Sequence, residues 1–220
     1  MDATTARREL LEYGRKIAAR GLVVGPGGNT SVRAGDVIYM KASGAAFEDA
    51  TEKDYIGVDL QTRKVVDGSG KPTCEILMHL ACYEVRADVG AVCHTHPPYS
   101  LAAASARLRI PPFCPDHVAL VGSEIPIVDY VVPAGSELAE RVKECVREHN
   151  AVLLANHGLV TVGSNMREAY FRNCLVEDVV KSYIFASLIG TPSVLSAEDV
   201  ARLDSHEAEK YRKDLLRRNG

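Results

Sequence analysis

The chain has 220 residues, 46% of them hydrophobic, and a net charge of −3. That length and composition suffice to bury a full core as a single domain over residues 1–220, and a mildly acidic balance without a basic stripe excludes a nucleic-acid surface. No apolar segment is long enough to span a bilayer and the N-terminus is polar, so the expectation is a cytoplasmic protein with no membrane partner.

Residues 4–20 place Leu10, Tyr13, Ile17 and Ala18 at helical spacing, predicting an amphipathic helix that ends at Gly21. Gly25-Pro26-Gly27-Gly28-Asn29-Thr30-Ser31 follows. Its glycines either give backbone N–H groups room to face an anion or make a tight turn between helix and strand; the Walker and dinucleotide patterns do not match. Residues 37–40 read as a strand, and Lys41-Ala42-Ser43-Gly44-Ala45 as a second loop of small residues, so two such loops flank one strand and can face one pocket. Residues 55–60 and 64–66 read as a hairpin, broken off by Asp67-Gly68-Ser69-Gly70.

Pro72-Thr73-Cys74-Glu75 opens the next helix, with Thr73 as its N-cap and Ile76, Leu80 and Tyr83 on its buried stripe. Glu75 then lies in the first turn, where free N–H groups and the helix dipole favour negative charge. His79, one turn on, is read as a helix-packing or Glu75-facing histidine rather than a ligand. Pro97-Pro98 starts a helix running to residue 106, and residues 110–116 are Pro-rich and irregular. Short strands are predicted at 118–121 and 125–130. His117 beside Asp116 either carries protons in a site or is a surface loop residue. Ser136 caps a helix over 137–148, and 151–155 and 159–162 are strands flanking Asn156-His157-Gly158, whose glycine lets the chain turn sharply. Asn165 with Glu168 makes a capping box for a long helix ending at Gly190, and Ser196 caps a final helix carrying His206 and Tyr211. The six cysteines form no C-x-x-C pair and sit mostly in apolar periodic segments, as reduced core residues do. Strand pairs this close together leave no room for crossover helices. The predicted fold is therefore three-layer α/β/α around a central mixed, largely antiparallel sheet.

The chemistry concentrates in Gly90-Ala91-Val92-Cys93-His94-Thr95-His96-Pro97. Side chains alternate along a strand, so His94 and His96 project the same way. Two imidazoles on one face make half a metal site, or are simply two partly exposed histidines. His157 follows another apolar run and can reach the same sheet edge. Three neutral imidazoles around an open position is the arrangement of a catalytic zinc, with a carboxylate as fourth ligand or proton carrier, and Glu75 is the candidate.

Gly28-Asn29-Thr30-Ser31-Val32-Arg33, the Ser43-Gly44 loop, Pro72-Thr73-Cys74-Glu75 with His79, the 91–97 stretch and Asn156-His157-Gly158-Leu159 together resemble the class II aldolase/adducin family, in order, from about residue 5 to residue 190. The resemblance implies a class II aldolase-like domain and a metal-dependent aldehyde-lyase. Its metal is zinc, or else manganese, cobalt or iron(II), held by His94, His96 and His157, with Glu75 moving between metal ligand and acid/base. It implies a phosphate pocket of Asn29, Ser43, Gly44, Thr73 and Cys74. Its substrate is a phosphorylated sugar, a ketose 1-phosphate of the fuculose, ribulose, 5-deoxyribulose or 5-methylthioribulose type, cleaved to dihydroxyacetone phosphate and an aldehyde. Dehydration, decarboxylation or epimerisation of a sugar phosphate are the alternatives within the superfamily, and a non-catalytic adducin-like interaction module is another. Two positions depart from the family pattern. Cys74 replaces a hydroxyl residue, and Pro115 stands where the family has a tyrosine acid, for which Asp116 or His117 would substitute. Tyr211 resembles a C-terminal tyrosine that lies over the site, so the helix from about residue 196 is expected to cover it. The family's usual four-fold homotetramer, with its site at a subunit interface, is expected of this chain too.

Overall fold

The computed structural model describes residues 1–218. Eight strands form one sheet: β1 (Asn29–Ala34), β2 (Val37–Lys41), β3 (Tyr55–Asp59), β4 (Val65–Asp67), β5 (Ala91–Thr95), β6 (Ile127–Val128), β7 (Ala151–Leu154) and β8 (Gly158–Gly163). Their order is β4-β3-β2-β1-β5-β8-β7-β6, and every pairing is antiparallel except β6 with β7. The mixed, largely antiparallel sheet expected from the close strand spacing is the one present.

Alternation along the central strands sends each residue to one of two helical layers. Val92 of β5, Val152 and Leu154 of β7, and Val160 and Val162 of β8 pack against α2 (Ile76–Val85) and α4 (Ser136–Val146). On the opposite face, Ala91 and Cys93 meet α1 (Ala3–Ala19) and the start of α5 (Met166–Ile189), while Ala151, Leu153 and Leu159 meet α3 (Pro98–Ser105) and the middle of α5. Since β5 has this parity, His94 falls on the α2 face.

Several boundaries differ from the sequence reading. Residues 118–121 do not form a strand; they belong to a π-helix, His117–Val121, that ends at Gly122 with φ 124°. A short apolar run has no period of its own to separate strand from buried helix. Here the backbone is captured by α5, where Arg172 donates from Nε to the Leu120 carbonyl at 2.8 Å. His117 is accordingly fully buried, not a surface loop residue. The neighbouring strand is only β6. The N-cap of α2 is Glu75 rather than Thr73, and that of α4 is Gly135 rather than Ser136. Asn165 caps α5 as expected, accepting from the Glu168 N–H, but the returning Glu168 carboxylate reaches Ser164 N instead of the cap itself. The single final helix is two, α6 (Ala197–Ser205) and α7 (Glu207–Arg218), broken at His206.

Candidate active site

The site forms where β1, β5 and β8 meet the entry of α2. Asn29 pairs with His94 across β1 and β5, and His94 with Val160 across β5 and β8. His157 sits in the tight β7–β8 connection, whose left-handed residue is Asn156 with φ 57°. Gly158 serves closeness rather than turning: a Cβ there would lie 2.2 Å from the Thr95 carbonyl oxygen and 2.9 Å from His96 Cδ2. The absence of a side chain is what lets β8 start against the two histidines.

The three predicted ligands converge, their candidate atoms lying within 4.8 Å of one another. His94 donates from Nδ1 to the Leu159 carbonyl at 3.0 Å, which turns its Nε2 lone pair toward the cluster. His96 Nε2 lies 3.1 Å from that atom. Glu75 lies across them, with Oε2 3.2 Å from His94 Nε2 and Oε1 3.2 Å from His157 Nε2. Burial pushes the Glu75 carboxyl up, but the field of His94, the close approach of the His157 and His94 rings and the hydrogen bond from the Asn29 amide outweigh it and hold the group ionised, well below the usual carboxylate range. Burial, reinforced by His94 and His157, pushes His96 down to about 4, so its ring is neutral near pH 7, as a ligand must be. Glu75 Oε1 is buried with no hydrogen-bond partner among the described residues. Inward-facing imidazole nitrogens beside an ionised, under-satisfied carboxylate fit a divalent cation.

The predicted anion loops are physically joined at the same place. Ala42 bridges Pro72, and Ser43 N donates to the Lys71 carbonyl at 2.9 Å, which ties the Ser43-Gly44 loop to the segment that leads into Thr73, Cys74 and α2. Lys41 Nζ donates to the Pro26 carbonyl at 2.9 Å and to that of Ala45, tying the glycine loop to the second loop. Burial brings this ammonium down to about 8. The sequence reading passed over Lys41, although a lysine at a strand end just before Ala-Ser-Gly is the visible sign of a cation between two such loops. Asn29 is engaged as well: its amide donates to Glu75 Oε2 at 2.8 Å, and its oxygen accepts from His79 Nε2 at 2.5 Å. His79 thus reaches Glu75 through Asn29, and burial pushes its ring down to about 3.

Two candidates stand apart from the cluster. His117 is fully buried with both ring nitrogens unpartnered among the described residues, and no hydrogen bond links it to Glu75 or the three histidines. Tyr211 on α7 is 63% exposed. Within the chain α7 docks at the start of α5, where Asn165 Nδ2 donates to the Leu216 and Arg217 carbonyls and Arg167 to that of Leu215, with Arg212 paired to Asp116 at 2.9 Å. That is the end of β8 opposite Gly158. A groove of about 820 Å³ lined by Ile110, Pro112, Glu124, Pro126, Tyr183 and Val200 includes none of the cluster residues. No helix among the described residues is long and apolar enough to cross a membrane.

The model of the Class II Aldolase and Adducin N-terminal domain matches residues 8–184. An L-fuculose phosphate aldolase of Methanococcus maripaludis is 36% identical over 190 residues, covering 86% of this chain and 99% of the relative. A 5-deoxy-D-ribulose 1-phosphate aldolase of Bacillus thuringiensis serovar kurstaki is 31% identical over 199 residues, covering 90% and 92%. Among solved structures, an L-fuculose 1-phosphate aldolase superposes with a TM-score of 0.87 at 30% identity, covering 96% of this chain and 98% of the other.

Proposed function

We propose that this chain, which belongs to the class II aldolase and adducin family and is an aldehyde-lyase, cleaves a ketose 1-phosphate to dihydroxyacetone phosphate and an aldehyde. One observation carries the reading: three imidazoles and one carboxylate from three separate segments converge within bonding range of a single cation. A nitrogen-rich donor set of this kind suits zinc. A divalent ion held there supplies an electrophile for the negative charge that builds on the substrate's carbonyl side as the carbon–carbon bond breaks.

The remaining steps belong to the protein's own groups. The joined loops offer Ser43, Gly44, Thr73 and the helix-entry backbone at Cys74 to the substrate phosphate, with the Lys41 charge beneath them. Cys74 brings no hydroxyl donor, so recognition there falls to backbone N–H groups. Glu75, ionised and held by Asn29, is the proton carrier: on displacement toward substrate it takes a proton and returns it to the carbon freed by cleavage. Among the described residues Lys41 is the one buried lysine, and its bonds to two carbonyls argue against a covalent imine route.

Among the described residues, none of the three neighbouring candidates is placed as a free acid for the aldehyde side. Pro115 offers none, Asp116 is paired with Arg212, and His117 is sealed in the core. Exposed Tyr211 has the character of a group supplied to a neighbouring copy, in keeping with a cytoplasmic homotetramer whose site is completed across an interface. The test is a panel of ketose 1-phosphates assayed for dihydroxyacetone phosphate, with sugar-acid phosphates alongside. Release of the triose phosphate from at least one ketose supports the reading; carbon dioxide from a sugar acid with no triose phosphate from any ketose overturns it.

A further inference from the structure

Behind Glu75 runs a line of buried polar groups that no local sequence feature connects. Tyr83 Oη lies 2.8 Å from Ser31 Oγ, Ser31 Oγ 2.7 Å from His79 Nδ1, His79 Nε2 2.5 Å from Asn29 Oδ1, and Asn29 Nδ2 2.8 Å from Glu75 Oε2. Its members come from β1 and α2, two residues apart on the strand and one turn apart on the helix. Ser31 and His79 are 0% exposed and the other three nearly so, leaving water no access to settle the bonding.

The two ends of the line fix the direction of every bond in it. At one end, the Asn29 amide nitrogen donates to Glu75 Oε2 at 2.8 Å, which leaves the amide oxygen to face His79. His79 must then donate from Nε2. At the other end, the Tyr83 hydroxyl has Ser31 as its sole partner among the described residues, and a buried phenol hydrogen left unpaired is costly. It goes to Ser31, whose own hydrogen passes to His79 Nδ1.

We infer that His79 is a positioning residue, held as the neutral Nε2–H tautomer by a one-way donor line from Tyr83 through Ser31, and that it locks the Asn29 amide so that Glu75 is presented to the histidine cluster. Both ring nitrogens of His79 are committed, which also rules the ring out as a metal ligand. The inference rests on the reading of Glu75 as proton carrier, and it explains why a serine and a tyrosine distant from the substrate belong to the same site. Bonds polarised in one direction reinforce each other, so the line orients Glu75 more firmly than Asn29 alone.

The test combines spectroscopy with kinetics on the zinc-loaded protein. In ¹⁵N-histidine-labelled protein, His79 is expected to show a proton on Nε2 and an acceptor nitrogen at Nδ1, with Tyr83→Phe weakening the Nδ1 acceptor signature. His79→Phe should keep about one zinc per chain and lower kcat on the order of 10-fold or more with KM little changed, while Tyr83→Phe, which removes one oxygen, gives a smaller loss in the same parameter. Combined with Glu75→Gln, His79→Phe should add little further loss, since both act through one carboxylate. A ring protonated on Nδ1 or on both nitrogens, an unchanged kcat in both Phe variants, or full additivity with Glu75→Gln overturns the inference and leaves the aldolase reading standing. Absence of ketose cleavage in the unsubstituted protein sinks that reading and leaves the tautomer assignment intact.

Discussion

Glu177 on α5 grips the first turn of α3 through Ser100, whose backbone N and Oγ both donate to Oε2 at 2.8 and 2.7 Å, while Tyr99 N donates to Oε1 at 2.9 Å. One turn earlier on α5, the Asn173 side chain meets Thr95 Oγ1 at 2.7 Å. A single helix therefore holds the backbone on either side of His96 and Pro97. Glu177→Ala leaves three donors at a buried helix start without an acceptor, with an expected loss of about 2–4 kcal/mol in denaturant unfolding. Glu177→Gln keeps one acceptor oxygen and should lose roughly half as much. Zinc affinity, read by chelator competition, should fall in step with stability, because the same contact sets the exit of the chain from His96. An Ala variant with unaltered zinc affinity would separate α3 seating from the metal site.

Metal removal gives a second expectation. His94→Ala and His96→Ala should each abolish the roughly one zinc per chain measured by elemental analysis, since each removes one of three nitrogen donors. Zinc at a thousand times its dissociation constant should stabilise the unsubstituted protein by about 4 kcal/mol, an increment missing from both variants. Glu75→Gln should retain most of the metal and lose on the order of 10²–10⁴-fold in kcat. Wild-type turnover in that variant would remove Glu75 from the proton-carrying role.

The difference between what the chain announces and what it withholds is one of range. His94 and His96 are legible because period two along an apolar run decides their face within three residues, and Glu75 because it enters a helix beside proline and threonine. The sheet is legible from strand spacing. The π-helix is not, because Val118, Ala119, Leu120 and Val121 carry no periodicity and only the capture of the Leu120 carbonyl by Arg172 decides their shape. The same holds for Ser31, His79 and Tyr83, whose bonds span about 50 positions of chain. Gly158 shows the subtler case: the glycine was conspicuous, but its reason is a carbonyl on another strand.

Lys41 separates two kinds of aldolase chemistry. As the tie between the loops it should matter for phosphate and not for covalent capture. Lys41→Met removes the cation and leaves the Pro26 and Ala45 carbonyls without their donor. The expected result is a KM for a ketose 1-phosphate raised about 10-fold or more, with zinc content unchanged, the loss of roughly one charge-assisted contact. Borohydride added during turnover should leave the protein mass unaltered. A trapped adduct on Lys41 would replace the metal-dependent route with an imine.

His117 makes stability depend on pH in a direction that can be worked out. Burial lowers its pKa from 6.5 to about 4. Between those values the unfolded chain binds a proton that the folded chain refuses, so folding loses stability as pH falls through 6.5 and the loss is complete near 4. The span corresponds to about 3 kcal/mol as an upper bound. His117→Leu removes the titrating group and two unpaired ring nitrogens while keeping an apolar side chain in the π-helix. It should raise stability at pH 7 by about 1–3 kcal/mol and widen its advantage over the parent toward pH 4, measured by urea unfolding of the metal-free proteins at several pH values. Comparing parent with variant cancels the contribution of the other histidines. A constant advantage across that range would mean that the His117 ring takes up its proton in the folded chain as readily as in the unfolded one.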